Sequence, residues 1–138
     1  MKPAVKPLVA RQAMGDKVRG VALVAKDGFS ARYDLDRNAG TFCRPSHKLA
    51  GQSYKDRILV LDTAKGGVAS AWMLREMAAR GIVPLALVFN SVNPIIAQGA
   101  AFGGITLVAG FDSDITSQIP HGATVEIDPA ARTVRIVE

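Results

Sequence analysis

The residues with the clearest chemical potential lie in one short segment, residues 62–72, which reads DTAKGGVASAW. A buried strand is expected to end there in a glycine-containing loop that leads directly into a helix. At such a junction the backbone N–H groups of the first helical turn point outward, and the helix dipole adds about half a positive charge. The segment therefore predicts a place where a carboxylate or a phosphate would bind.

Side chains at this junction extend its chemistry. Lys65 adds a positive charge, and Gly66 and Gly67 allow a ligand to approach the backbone closely. Ser70 offers a hydroxyl that could donate or accept a proton. The alternative is a helix cap beside a solvated lysine, because the segment matches neither GxxxxGK[ST] nor GxGxxG. Asn93 precedes a second expected helix, where it either caps that helix or lines the same pocket.

Metal chemistry is not expected on this chain alone. Cys43 is the single cysteine, and no Cys/His cluster has the spacing of metal ligands. Cys43 is expected to be a small buried thiol at the end of a short strand. His47 and His121 lie in expected loops, where a structural or solvated role is favoured. A phosphoryl carrier that uses His47 is a weaker alternative.

Composition predicts one folded domain, because 49% of the 138 residues are hydrophobic and 21% are charged. No apolar run reaches the roughly 18 residues of a membrane helix, and the N-terminus lacks a secretory signal. We therefore expect a cytoplasmic protein with no membrane partner. The net charge of +5 suits an anionic partner, but the basic residues are dispersed and aromatic residues make up only 6%. Nucleic acid is accordingly not an expected partner.

Strands that alternate with helices predict an α/β domain with a central mixed sheet, flanking helices and terminal hairpins. Strands are expected at residues 17–26, 30–33, 41–43, 58–61, 83–89 and 105–108, and a closing hairpin pairs 125–127 with 133–137. Helices are expected at 68–80, before Gly81, and from Pro94 to Gly103. Residues 34–40 and 62–67 are expected to be loops. Residues 1–14 are predicted to be a flexible extension and residues 15–138 the domain.

The first expected helix has an apolar residue on its outer side. At 100° per residue, one face suits packing on the sheet and contains Ala71, Leu74, Met77 and Ala78. Trp72 projects to the other side with Val68 and Arg75. An indole in that position is either half-covered by a neighbouring loop or is an anchor for another protein.

The order of these motifs resembles the small subunit, or swivel domain, of the aconitase X family. The resemblance spans nearly everything after Gly15 and rests on GVALV, DLDRNAGTF, HKLAGQS, RILVLDTAKGG, GIVPLALVFNSVNPIIAQGAAFGGITLV and HGATVEID. It implies a swivelling β/β/α domain, similar to the mobile domain of aconitase, that closes over an active site built mainly by a larger subunit. It further implies no cofactor on this chain and an iron–sulfur cluster bound by cysteines of the large partner.

The reaction that the resemblance implies is loss of water from a small hydroxylated carboxylic acid such as cis-3-hydroxy-L-proline, with mevalonate 5-phosphate as the alternative substrate. In this scheme the substrate anion is bound by Lys65, Gly66 and Gly67. Ser70 carries a proton and Asn93 lines the pocket. The large subunit is contacted through Trp72, Val68 and Arg75.

One departure from the family pattern separates two hypotheses. Many family members have serines directly after the Lys-Gly of this loop, and one is taken as catalytic, whereas this sequence has Gly67 and Val68 there. Ser70 lies further along the helix, and a shift of two or three residues changes its direction by more than half a turn. A non-catalytic anion-binding or regulatory module with the swivel fold is therefore the second hypothesis.

Overall fold

The computed structural model of the chain describes residues 7–31, 33–64 and 66–137. Its helices are α1 (Val68–Arg80), α2 (Pro94–Phe102) and α3 (Ile115–Gln118). Its strands are β1 (Leu8–Val9), β2 (Gln12–Met14), β3 (Val18–Val24), β4 (Gly28–Phe29), β5 (Leu35–Asp36), β6 (Thr41–Phe42), β7 (Ile58–Ala64), β8 (Ala86–Ser91), β9 (Thr106–Ala109), β10 (Thr124–Asp128) and β11 (Thr133–Ile136).

Four parallel strands form the centre of the main sheet, in the order β3-β7-β8-β9. The continuous apolar sequence of β7 suits this position, because a central parallel strand is covered on both faces. β2 pairs antiparallel with the free side of β9, and β10, β11 and β1 continue antiparallel from β3. β4 pairs with the end of β7, and β5 and β6 form a separate hairpin. The predicted α/β class and central mixed sheet are confirmed.

The parallel strands have two buried faces because successive side chains alternate. One face packs on α1 and α2 and includes Leu59, Leu61, Leu87, Phe89, Leu74, Met77 and Ile96. The opposite face packs on α3 and the antiparallel strands and includes Val60, Val88, Val108, Ile115, Ile119 and Val125. Consecutive residues at a strand end therefore point to opposite faces of the sheet.

The two long helices agree with the sequence prediction. α1 ends at Gly81, whose φ of 73° is the left-handed conformation that glycine adopts readily. α2 begins at Pro94 after the cap residue Asn93. The helices approach closely at Gly99, where an added Cβ would lie 2.7 Å from the Cα of Ala71. A residue without a side chain is required at this crossing.

The N-terminal prediction of a flexible extension is wrong for Leu8–Val9 and Gln12–Met14, which are strands of the sheet. Leu8 and Val9 pair with Val134 and Thr133, and Gln12–Met14 pairs with residues of β9. Strands of two or three residues carry too little alternation to be distinguished from a flexible segment. Their pairing depends on strands more than 90 residues away along the chain. Residues 1–6 lie outside the described part of the chain.

Three local predictions also need correction. Within the expected strand at 30–33, residues 31 and 33 lie in a turn, and residue 32 is outside the described residues. The Asp34 carboxylate accepts a hydrogen bond from the Ser30 N–H at 2.9 Å, and the Asp34 N–H donates to the Ser30 carbonyl at 3.0 Å. β7 continues to Ala64, so the loop expected from residue 62 starts later. Cys43 is exposed rather than buried, because β6 ends at Phe42, whose ring enters the core.

Substituting Gly99→Ala tests the helix crossing. Alanine is the better helix former by about 1 kcal/mol, but the added methyl would press on the backbone of Ala71. We expect the free energy of unfolding to fall by about 1–3 kcal/mol in urea denaturation. Gln98→Ala, an exposed change on the same helix, is the control. A Gly99→Ala protein at least as stable as the wild type would contradict the close approach.

Candidate functional site

The carboxyl ends of the parallel strands lie at one edge of the sheet. β7 ends at Ala64, β8 at Ser91 and β9 at Ala109, and their loops lead to α1, α2 and α3. β4 runs alongside the end of β7, so the turn that follows it reaches the same edge. Open α/β sheets bind ligands outside the carboxyl ends of their strands. This edge is therefore the candidate site.

The loop before α1 contains two glycines, of which Gly66 is required by the backbone geometry. Gly66 has φ of 116°, and a Cβ at this position would collide with the side chain of Ser70. Gly67 is the N-terminal cap residue of α1, and a Cβ added there would meet no atom within 4 Å. The backbone before α1 is thus open on the Gly67 side. Lys65, the predicted cation of this loop, lies outside the described residues.

Ser70 is brought to the loop but faces inward. Its exposure is only 3%, and its side chain lies against Gly66. A bound molecule at the outer side of the loop would be separated from this hydroxyl by the backbone of Gly66. The role of Ser70 in proton transfer therefore stays a prediction that requires the loop to move.

Asn93 links the start of α2 to the loop before α1. Its side-chain oxygen accepts a hydrogen bond from the Ile96 N–H at 2.9 Å, which caps α2. Its side-chain nitrogen donates to the carbonyl oxygen of Gly66 at 3.1 Å. The predicted cap is confirmed, and the same amide also fastens the Gly66 loop. Contact with a substrate stays a prediction.

Two hydroxyls that the sequence analysis missed lie between these loops. Thr63 and Ser91 are paired residues of β7 and β8, and the Ser91 hydroxyl donates to the Thr63 hydroxyl oxygen at 3.1 Å. Both side chains point to the face that carries α1 and α2, and Ser91 is exposed. The predicted strands 58–61 and 83–89 both end before these residues, whereas β7 and β8 extend to Ala64 and Ser91.

A second polar cluster lies at the same edge on the opposite face of the sheet. The side-chain nitrogen of Asn90 donates to Asp62 at 2.9 Å and to Asp114 at 2.8 Å, and its oxygen accepts from the Ile115 N–H at 2.7 Å. Asp114 also accepts from the backbone and hydroxyl of Thr116. The sequence analysis did not single out these residues, because 62, 90 and 114 converge only in the folded sheet.

Asp114 is a permanent anion in this cluster. Hydrogen bonds from Asn90 and Thr116 stabilise its charged form and hold the pKa of the carboxyl well below its usual value of 3.8. The ammonium of Lys26 lies 3.6 Å away. Because it stays ionised at any physiological pH, Asp114 fixes α3 against the sheet and is unsuited to proton transfer.

His47 is a structural residue. Its side chain is fully buried and stacks on Phe42 with ring centroids 4.7 Å apart. Nδ1 accepts a hydrogen bond from the Leu49 N–H at 3.0 Å, and Nε2 lies 2.8 Å from the Gly28 carbonyl oxygen, to which it donates. Since backbone groups occupy both ring nitrogens, the phosphoryl-carrier alternative has no support. The Nδ1 of His121 likewise accepts from the Val24 N–H at 3.0 Å.

The described residues do not fit an iron–sulfur cluster, which takes several thiolate ligands, since Cys43 is alone and exposed. Across 7–31, 33–64 and 66–137, no group of three or more His, Cys, Asp or Glu side chains is placed to hold a metal ion. Within the same residues, none of the helices has the length and apolar character needed to cross a membrane.

An apolar groove runs between the outer sides of α1 and α2, and we call it the α1–α2 groove. Trp72 is 60% exposed and Phe102 is 68% exposed, and the groove is also lined by Val68, Arg75 and Ile95. The guanidinium of Arg75 lies 5.2 Å from the centre of the Trp72 ring. The groove begins at the helix ends that carry Gly67 and Asn93. Trp72 is therefore exposed at the surface of the groove, and its role as an anchor for another protein stays a prediction.

Asp114→Asn tests the acidic cluster through its pH dependence. A carboxyl whose pKa is lowered on folding contributes stability above its unfolded pKa, near 3.8, and loses that contribution as pH falls through the folded value. Urea denaturation should show the variant about 1–2 kcal/mol less stable at pH 7, with the difference shrinking below pH 4. Asp112→Asn, at an exposed neighbour, is the control. A difference that is constant from pH 7 to pH 3 would contradict the prediction.

Comparison with known proteins places this geometry in a family. The family model described as aconitase X swivel domain matches residues 7–136. A phosphomevalonate dehydratase small subunit of Thermococcus sibiricus is 32% identical over 95% of this chain and 98% of its own length. One from Methanocella arvoryzae is 29% identical over 88% of this chain and 92% of its own.

Solved structures agree with the sequence comparison. The holo-form crystal structure of Thermococcus kodakaraensis aconitase X superposes with a TM-score of 0.89 at 25% identity and covers 97% of this chain and 100% of its own. The solution structure of a UPF0107 protein gives a TM-score of 0.86 at 26% identity over 96% of this chain and 100% of its own. The resemblance drawn from the sequence motifs is confirmed: the chain belongs to the aconitase X swivel domain family.

Proposed function

We propose that this chain is the small subunit of an aconitase X-type dehydratase that acts on phosphomevalonate, which is mevalonate 5-phosphate. The supporting observation is that the chain aligns over nearly its whole length with proteins named phosphomevalonate dehydratase small subunits. This favours the alternative substrate of the sequence analysis over cis-3-hydroxy-L-proline. The proposal keeps the expected cytoplasmic location.

In this proposal the chain binds the substrate's carboxylate at Gly66, Gly67 and the first-turn N–H groups of α1. We call this place the rim. The first-turn N–H groups of α1 are not capped by a side chain at Gly67, so they can point to an anion. Asn93 holds the Gly66 carbonyl back toward α2, which keeps the loop backbone in place. Lys65 adds the cation, and Gly66 and Gly67 give the close approach. The iron–sulfur cluster expected on the large subunit would supply a Lewis acid for the departing hydroxyl.

A proton carrier is also needed for loss of water from the substrate. Ser70 is the predicted group, but its hydroxyl lies behind Gly66, and Gly67 and Val68 stand where family members have serines. Proton transfer by Ser70 requires that the loop shifts when the large subunit closes on it. Otherwise the base comes from the large subunit, and this chain binds and orients the substrate.

The large subunit is proposed to dock on the α1–α2 groove. Val68, Trp72 and Phe102 present apolar area that a monomeric protein rarely leaves exposed at one place. Aromatic residues and arginine are the usual anchors of protein interfaces, and Arg75 stacks on Trp72 here. Because the groove begins at the helix ends of the rim, a partner seated there would also cover the bound substrate.

The second candidate function is a non-catalytic anion-binding module. The observation that favours it is the replacement of the family serines by Gly67 and Val68. This hypothesis keeps the rim and the fold but predicts no dehydration in any complex. Binding without turnover would therefore separate it from the first.

Turnover by the coexpressed complex is the primary test. The complex of this chain with its large subunit should dehydrate mevalonate 5-phosphate and not cis-3-hydroxy-L-proline, and neither subunit alone should be active. Gly66→Ala should lower kcat/KM at least about tenfold, because its φ of 116° and its contact with Ser70 leave no room for a methyl. Gly51→Ala is the matched control, since Gly51 also has positive φ but faces open space.

Asn93→Asp provides a second, milder variant of the same loop. Aspartate can still accept the Ile96 N–H and cap α2, but it cannot donate to the Gly66 carbonyl. Thermal stability should therefore be retained while kcat/KM falls. A complex that binds phosphomevalonate without dehydrating it, or a lone chain that turns it over, would reject the proposed function.

Charge introduced into the α1–α2 groove tests the docking surface. Trp72→Arg should weaken association with the large subunit by about thirtyfold, which corresponds to about 2 kcal/mol. Val9→Arg, at another exposed apolar residue on β1, is the control and should leave association unchanged. Biolayer interferometry with immobilised large subunit gives both dissociation constants. Equal constants for Trp72→Arg and the wild type would exclude this surface.

A further inference from the structure

A second small cavity opens at the carboxyl edge of the sheet, between β2, β8 and β9. Its volume is about 180 Å³, and its wall includes Arg11, Gln12, Asn90, Ser91 and Gly110. Pockets for whole drug-sized ligands measure about 300–1,000 Å³. The cavity is therefore of a size for one functional group of a ligand rather than for a complete substrate. We call it the Arg11 cavity.

The backbone fixes the root of the Arg11 side chain. The Arg11 N–H donates to the Gly110 carbonyl at 2.8 Å, and the next residue, Gln12, pairs with Ala109. Gly110 has φ of 82°, and a Cβ there would lie 3.1 Å from the Arg11 Cβ and 3.4 Å from its Cγ and Cδ. The aliphatic stem of Arg11 thus lies against a glycine that has no side chain, and Arg11 is part of the cavity wall.

The guanidinium is weakly held and available to a ligand. Its ion pair in the described structure is with Asp112 at 3.4 Å, and both side chains are largely exposed. Exposed pairs of this kind contribute about 0–1 kcal/mol, so a doubly charged anion can displace Asp112. Asp112 is not part of the cavity wall. The planar fork of arginine fits phosphate oxygens in a bidentate manner.

The rest of the wall supplies donors and no carboxylate. Ser91 has a hydroxyl that can turn from Thr63 toward a ligand, and Gln12 has a side-chain amide. Both N–H groups of the Asn90 amide already serve Asp62 and Asp114 on the other face of the sheet. Neither carboxylate is part of the described wall, which presents Arg11 as its charged group.

We propose that the Arg11 cavity binds the phosphate group of the substrate, with Arg11, Ser91 and Gln12 as its ligands, while the rim at Gly66 and Gly67 binds the carboxylate. The inference rests on the proposed function and names the part of the chain that selects a phosphorylated hydroxy acid. Ser91 connects the two places, since its hydroxyl bonds to Thr63 on the strand that leads to Gly66. An unphosphorylated hydroxy acid would leave the Arg11 cavity empty.

Binding of inorganic phosphate to the full chain tests the cavity directly. In nitrogen-15 NMR titrations, phosphate should shift the amide signals of Gln12, Ser91 and Gly110, and Arg11→Gln should weaken the apparent affinity at least about tenfold. Arg11→Lys keeps the positive charge but lacks the planar guanidinium, so its affinity for phosphate should lie between those of the wild type and Arg11→Gln. Arg135→Gln, at an exposed arginine on β11, is the control for a change of net charge. Equal losses in both glutamine variants, or no shift of the three amides, would overturn the inference.

Kinetics of the assembled complex separate this inference from the proposed function. Arg11→Gln should raise KM for mevalonate 5-phosphate at least about tenfold and change kcat less than about threefold, because the phosphate is remote from the reacting carbon. Arg135→Gln should match the wild type in both constants. If the wild-type complex dehydrates mevalonate 5-phosphate and Arg11→Gln has the same KM, the inference fails alone. If the wild-type complex shows no turnover, the proposed function fails, and the phosphate titration still decides whether the cavity binds phosphate.

Discussion

The parallel pairing of β7 with β8 is the constraint on which the site depends. Three side-chain hydrogen bonds join the ends of these strands and the loops after them: Asn90 to Asp62, Ser91 to Thr63, and Asn93 to the Gly66 carbonyl. Because side chains alternate along a strand, the first lies on the α3 face and the second on the α1–α2 face. The third ties the two helix starts. A shift of register by one residue would break all three at once.

This cross-linked edge holds the starts of the helices in fixed positions. The rim needs backbone N–H groups in fixed positions, and Asn93 provides that rigidity by using both atoms of its amide. Asp114 serves the same purpose on the other face, where its lowered pKa reflects hydrogen bonds that hold α3. Asn93, Asn90 and Asp114 are thus committed to positioning backbone groups at the edge, and the groove on α1 and α2 is exposed.

The N-terminal strand β2 extends the sheet beyond β9. β2 covers the open side of β9, and Arg11, the residue before β2, lies beside Gly110. Without β2, the parallel sheet would end at β9 with unpaired backbone groups, and the edge would have one basic side chain fewer. Short edge strands are a common way to close a sheet.

Sequence by itself determined the elements whose signals are local. Good helix formers between Gly67 and Gly81 predict α1, Asn93 and Pro94 predict the start of α2, and the apolar runs at Ile58 and Val88 predict buried strands, since each signal lies within a few residues. The family motifs indicate the fold because they preserve the order of these elements. The groups predicted at the first junction, Gly66, Gly67 and Ser70, do lie together.

Only the tertiary structure decided which distant side chains come into contact at the edge of the sheet. Residues 62, 90 and 114 meet, Ser91 bonds to Thr63, and Arg11 reaches Gly110, through pairings between strands that are distant along the chain. It also decided that Ser70 faces inward and Cys43 outward. Strand register and helix packing set the direction of each side chain, and both depend on the free energy of the whole core. No window of sequence contains that information.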